Sequence, residues 1–291
     1  MAGDGGKSTN QPHTGAQHHA KITIDQGMPL KKIVTVGLVA AVFGGGALWW
    51  LNRAGEDNKL NMLFSSGEVR NISTVNGQRG DITLSDGSKL SIGPATKLVI
   101  IPKYNELYRG VKVEGTANFD VKASSGVPLE VRAGGAVLVI DEGTFIVRGY
   151  ADEGEAFFKL VSGSGELRSK GERRQVTGPV SVRISKDSTM ADADADAVAV
   201  ATSWADGKVV FKGALLKDVL PQFNKYYAMT LQVTDEALLA RPVTMEADLD
   251  SKQKAITALE ASAFVKFSYD GSKPILKDNP TAAAKAAAKK D

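Results

Sequence analysis

The 291 residues include no cysteine. That absence excludes disulfides, thiolate metal sites and a cysteine nucleophile, and it suits an oxidising compartment. Histidine is nearly as scarce: His13, His18 and His19 all lie in the polar stretch before residue 30. The rest of the chain therefore lacks the commonest general base and metal ligand. A flexible polar tail does not hold three imidazoles on one face, so they read as solvated and not as a metal site. Also missing are a G-x-S-x-G nucleophile turn and a glycine-rich phosphate loop ending in Lys-Ser or Lys-Thr. The acidic neighbours Asp141-Glu142 and Asp152-Glu153 flank turns and read as solvated loop residues. A net charge of +3, with scattered basic residues, is too small to argue for nucleic acid. These absences together describe a non-catalytic protein without cofactor or metal.

One long run is free of charge. Ile33 to Leu51, IVTVGLVAAVFGGGALWWL, follows Lys31-Lys32 and precedes Arg53. At about 1.5 Å per residue it would cover roughly 28 Å, close to a bilayer's hydrocarbon thickness. Trp49 and Trp50 stand where an aromatic belt meets the head groups. The pattern predicts a membrane-spanning helix over 31–53, anchored by Lys31, Lys32, Trp49, Trp50 and Arg53. A cleaved signal peptide would have a shorter core and small residues where the tryptophans are. A buried core helix would be weakened by Gly44-Gly45-Gly46, about 1 kcal/mol for each glycine. On this reading residues 1–30 form a disordered cytoplasmic tail, 54–68 a linker, and the bulk of the chain lies across the membrane.

Between 69 and 185 the rhythm becomes two-residue alternation broken by glycine. Ile82 and Leu84 alternate with Thr83 and Ser85, and Leu90 and Ile92 resume the pattern after Ser85-Asp86-Gly87-Ser88, a hairpin signal. Val111 and Val113, Phe119 and Val121, Leu129 and Val131, Phe145 and Val147, and Val180 and Val182 continue it. Ala136 to Ile140 is apolar throughout, as in a strand buried on both faces. An all-β sandwich or roll is expected, with a β-solenoid second for want of a fixed repeat length.

Residues 186–203 include the low-complexity run MADADADAVAVATS and read as a linker. From 204 to 277 the order is strand (Val209 to Phe211), helix (Leu215 to Tyr227), strands near 231–233 and 243–245, helix from an N-cap at Ser251, and a hairpin across Asp270-Gly271. Pro221 should kink or split the first helix. The order βαββαβ predicts a small two-layer module with helices on one face of a sheet. The tail, 278–291, is Ala- and Lys-rich and either a frayed helix or disordered. The expected class is thus mainly β plus α+β, with one N-terminal transmembrane helix.

Several of these segments also carry a family resemblance. Thr74 to Arg79 followed by Ile82 to Leu90, with Asp86-Gly87-Ser88 at the turn, resembles the opening of the FecR domain. Gly115 to Val121 with Phe119, Pro128 to Val131, and Gly143-Thr144-Phe145-Ile146-Val147 resemble later FecR motifs, although Thr116 and Leu129 depart from the usual glutamate and phenylalanine. Trp204-Ala205-Asp206-Gly207 through Phe211, Leu215-Leu216 and Tyr226-Tyr227 resembles the C-terminal module of those proteins, akin to the short N-terminal domain of secretins and TonB-dependent transporters. The resemblance implies a bacterial inner-membrane regulator with its bulk in the periplasm. It would relay a signal between the signalling domain of an outer-membrane TonB-dependent transporter and an extracytoplasmic-function sigma factor. The thirty residues before the apolar run are shorter than the family's sigma-binding region. An envelope scaffold or binding protein that uses the same domain without sigma-factor control is the alternative.

Overall fold

The computed structural model describes residues 59–124 and 126–287, all within one compact unit spanning 57–291. Residues 59–65 form a helix, α1. It is followed by strands β1 (Arg70–Ser73), β2 (Gly80–Thr83), β3 (Lys89–Ile92), β4 (Lys97–Ile100), β5 (Arg109–Val121), β6 (Leu129–Ala133), β7 (Ala136–Gly149), β8 (Ala156–Ser169), β9 (Glu172–Thr177), β10 (Val180–Ile184) and β11 (Met190–Asp192). These eleven strands make one continuous sheet, ordered β1-β4-β5-β6-β7-β8-β10-β11 with β3, β2 and β9 attached to the sides. The predicted strand rhythm is present, but as a single large sheet and not as two facing ones.

The long strands change partners halfway, and this is how one sheet encloses one core. The first half of β5 pairs with β4 (Leu98↔Val113), the second half with β3 (Leu90↔Phe119). Val111, Val113, Ala117, Phe119 and Val121 all share one face and are buried in the same cluster, as alternation requires. β7 and β8 do something different. Their register shifts between Ile140 and Gly143 and again between Thr144 and Phe145. A one-residue slip exchanges the two faces of a strand. Leu138 and Ile140 therefore point inward before the bulge, and Phe145 and Val147 after it. The slip turns Ile146 and Arg148 to the outer face, where a second body of structure covers them.

That second body begins with α2 (Ala195–Thr202) in the Ala/Asp stretch. The Asp194 carboxylate accepts from the N–H groups of Asp196 (3.0 Å) and Ala197 (2.8 Å), satisfying donors that a helix start leaves open. A 3-10 turn, Ser203–Asp206, ends on Gly207 at φ 75°, the left-handed conformation that favours glycine. Then follow β12 (Lys208–Leu215), α3 (Leu216–Tyr227), β13 (Gln232–Val233), β14 (Pro242–Asp248), α4 (Lys252–Ala263), β15 (Val265–Asp270), β16 (Lys273–Asp278) and α5 (Pro280–Ala287).

Three expectations need correction here. The module contains two small sheets, β12-β14 and β13-β16-β15. The short β13 bonds parallel to β16 (Gln232↔Ile275) and joins the hairpin instead of bridging β12 and β14. Pro221 does not split α3: its exposed ring sits on the solvent side while Val219, Leu220, Phe223, Tyr226 and Tyr227 are buried. Packing of that face outweighs one missing N–H bond. Ser251 occupies the N-cap of α4, but its side chain makes no capping bond.

The fourth correction concerns the membrane. The expected helix over 31–53, with Lys31, Lys32, Trp49, Trp50 and Arg53, lies outside the described residues, as do the polar tail and its histidines. Among the described residues no helix is long and apolar enough to cross a bilayer. The longest, α3 and α4, have 12 residues each, well short of the ~20 that a spanning helix needs. The observed fold is mixed α/β with one large sheet. The membrane attachment, the inner-membrane location and the transmembrane relay built on that run are therefore set aside.

Candidate functional site

Two clusters of buried charge organise the structure. The first sits at the β2–β3 turn. Gly87, at φ 81°, lets the chain reverse there, and Asp86 is thereby aimed inward. Its carboxylate accepts from the Ser88 N–H (2.8 Å), the Tyr104 hydroxyl (2.8 Å) and Arg109 Nε (2.9 Å). An Arg109 terminal nitrogen stands 2.7 Å away, and both side chains have 0% exposure. Arg109 also donates to the carbonyls of Val127 (2.9 Å) and Lys122 (2.7 Å). The Ser88 hydroxyl accepts from the Lys122 N–H at 3.0 Å. One guanidinium thus ties the turn to the loop between β5 and β6. Burial alone would raise the Asp86 pKa, but the Ser88 and Tyr104 hydrogen bonds and the Arg109 charge hold it below the ordinary aspartate value.

The second cluster lies on the outer face of β7, against α3. Arg148 donates twice to Glu153 (2.8 and 2.6 Å), to the Tyr226 hydroxyl (2.5 Å) and to Gln222 Oε1 (3.0 Å). Its guanidinium lies 5.0 Å from the Tyr150 ring centre, and Lys225 Nζ lies 3.5 Å from the same centre. Burial works to lower the Arg148 pKa, yet Tyr226 and Glu153 raise it overall, so the guanidinium stays charged. Burial likewise raises the Tyr226 phenol, which keeps its proton. Lys225 is 3.3 Å from Asp152, its backbone carbonyl accepts from the Gly77 N–H (2.9 Å), and Arg79 pairs with Asp250. Beside this seam opens a cleft of about 560 Å³ between β8, α2 and α3, with Phe157, Val200 and Pro221 among its lining and Glu155, Asp196 and Lys217 beside them.

The motif residues fall into separate places. Asp86, Gly87 and Ser88 meet at the first cluster. Phe119 and Phe145 face each other across β5 and β7, stacked at 4.7 Å and 9°. Gly143 and Thr144 form the bulge of β7, where a Cβ on Gly143 would lie 2.3 Å from the Ser162 carbonyl oxygen. Trp204 is not with them; it packs on the outer face near Gly93 and Thr116, and Phe211 lies in the module's core. Gly115 sits at the midpoint of β5 with φ 126°, where a Cβ would stand 2.4 Å from Thr96 Oγ1 and 2.7 Å from its Cα. Gly115→Ala is therefore expected to cost about 2–4 kcal/mol from strain and overpacking together, measurable by urea unfolding.

The sequence reading missed Arg109 and Arg148. A signal existed for the first: Arg109 is in phase with Val111 and Val113, so alternation places it inward. Nothing local marks the second, because its cover comes from α3. Of the adjacent acids read as solvated, Asp152 has a side-chain exposure of 64%, whereas Glu153 has 17% and grips Arg148. Neither cluster presents an open nucleophile or proton-transfer pair; each consists of charges neutralised by partners. Among the described residues no group of His, Asp and Glu could hold a metal.

Residues 70–164 match the family described as FecR protein. No curated protein matches the chain. Two crystal structures of a candidate anti-sigma factor from Parabacteroides distasonis ATCC 8503, at 2.50 and 1.65 Å resolution, share the fold. Their TM-scores are 0.63 and 0.62, at 19% identity, covering 72% of this chain and 99% of that one. At that identity the likeness is one of fold. Part of the sheet, residues 70–164, thus resembles the FecR family, and the wider chain shares the fold of the two solved structures.

Proposed function

We propose that the chain is a non-catalytic binding scaffold: a FecR-like sheet that carries a small α/β module for protein–protein contact, without sigma-factor control. The observation that carries this reading is the outer edge of β15. Among the described strands β15 ends its sheet, paired with β16. The Phe267 N–H donates to Glu260 Oε1 at 2.8 Å, so it faces away from β16. By alternation the Tyr269 N–H faces outward too. Tyr269 is 62% exposed, and its ring meets Phe267 edge-on at 5.1 Å. An extended segment of a partner can add to such an edge through main-chain bonds, with tyrosine supplying contact area. Glu260 blunts the neighbouring position, a common protection against indiscriminate pairing. The module's resemblance to the short N-terminal domains of secretins and TonB-dependent transporters supports a docking role. In this reading the motif residues Asp86, Gly115, Phe119, Gly143 and Phe145 act by fixing the scaffold.

Tyr269→Pro tests it. The substitution removes an outward N–H and an exposed ring but none of the groups that face β16. Partners recovered by cross-linking in intact cells with the wild-type chain should fall at least about tenfold with the variant, given that exposed aromatics anchor such contacts. Equal recovery, with an unchanged circular dichroism spectrum, would remove the β15 edge as the contact.

A further inference from the structure

We infer that the C-terminal module is a detachable unit that docks on and lifts off the outer face of the sheet, with Arg148 as the catch. This inference is independent of the β15 reading. The sheet and the module have separate cores. One cluster holds the inward face of β3 to β11; the other holds α3, α4, β12 and β14 with Trp204, and Ile146 is the sheet residue it includes. Each part can therefore keep its packing when the two separate. The polar contacts that cross between them are Arg148 with Tyr226 and Gln222, Lys225 with Asp152, Arg79 with Asp250, and the Gly77–Lys225 backbone bond. Polar seams of this kind permit relative motion by default.

The apolar patch of the seam is imperfect in a telling way. Trp204 lies over Gly93 and Thr116, and on that same outer face Asn118 is two residues along β5. The Trp204 Nε1–H and the Asn118 Oδ1 are both buried without a protein partner. Water reaching the Trp204 Nε1–H on separation would offset part of the cost of parting the two surfaces. Gly93 is what allows the close approach: a Cβ there would stand 2.4 Å from Thr116 Cγ2 and 3.3 Å from the Trp204 ring. Lifting the module would bare Ile146 and Trp204 and leave the Arg148 guanidinium with Glu153 on the sheet side.

The absence of native cysteine makes a two-site distance measurement clean. Spin labels at Lys112→Cys on β5 and Lys254→Cys on α4, both exposed positions, report docking by double electron–electron resonance in the full chain. A single short distance at low salt should be joined by a longer one as sodium chloride rises to about 1 M, which screens the rim pairs of Arg79 and Lys225. Gly93→Ala, a wedge under Trp204, should make the longer distance predominate. Tyr226→Phe keeps the ring and deletes the acceptor, and should raise the longer population about three- to tenfold. Should Gly93→Ala unfold, Tyr226→Phe decides. One unchanged distance in high salt and in Tyr226→Phe, with native circular dichroism, would overturn the inference.

Discussion

Replacing Asp86 by alanine is expected to lower the unfolding free energy by about 3–5 kcal/mol, because it leaves Arg109 charged, buried and without its carboxylate. The pair has no exposed surface on either side chain, so water cannot repair the loss. Urea unfolding at neutral pH should show a lower midpoint with an unchanged slope. The cost belongs to the orphaned charge more than to the bridge itself. The double variant Asp86→Leu/Arg109→Met should therefore recover much of the loss. A single substitution costing less than about 1 kcal/mol would mean that the pair is solvated, as exposed bridges are.

The same carboxylate sets a pH dependence whose sign follows from its neighbours. Burial opposes ionisation, but the hydrogen bonds from Ser88 and Tyr104 and the Arg109 charge win, so the folded pKa lies below the ordinary 3.8. A lowered folded pKa means stability that is full above the unfolded value and lost as pH falls through the folded one. The wild type should then exceed Asp86→Ala by a constant margin from neutral pH down to about pH 5, and the margin should shrink below about pH 4. A margin that instead grew on acidification would contradict the assignment.

Features written in adjacent residues were legible. Asp86-Gly87 and Asp270-Gly271 mark hairpins because a positive φ is a local demand, and both hairpins form, with Gly87 at 81° and Gly271 at 59°. The inward face of β5 follows from its odd-numbered valines and Phe119. What lies across a bulge was not legible: the period-two pattern of β7 breaks at Asp141-Glu142-Gly143, and no local rule says which face Arg148 then takes. The parallel partner of β13 is some forty residues later, and such pairing leaves little trace in either segment. Arg148 needed Tyr226 and Gln222 from α3 to be recognised, a contact spanning more than seventy positions. Local chemistry was readable, and long-range burial of charge was not.

Phe145→Ala should be the second most damaging change, at about 3–5 kcal/mol for a large side chain removed from a fully buried site. Its ring lies flat on Phe119, its register partner, at 4.7 Å. A double-mutant cycle with Phe119→Ala should give a coupling of about 0.5–1.5 kcal/mol, so the double variant loses less than the sum. Phe145 is also the first inward residue after the bulge that turns Ile146 and Arg148 toward the module. Loss of its packing weakens what holds that register, because the bulged strand keeps its phase only while one face is buried. Hydrogen exchange should therefore quicken at Ile146 to Arg148 well before it quickens in β4 or β6. Uniform acceleration across the whole sheet would show that Phe145 supports the core in general and has no special part in presenting Arg148 to α3.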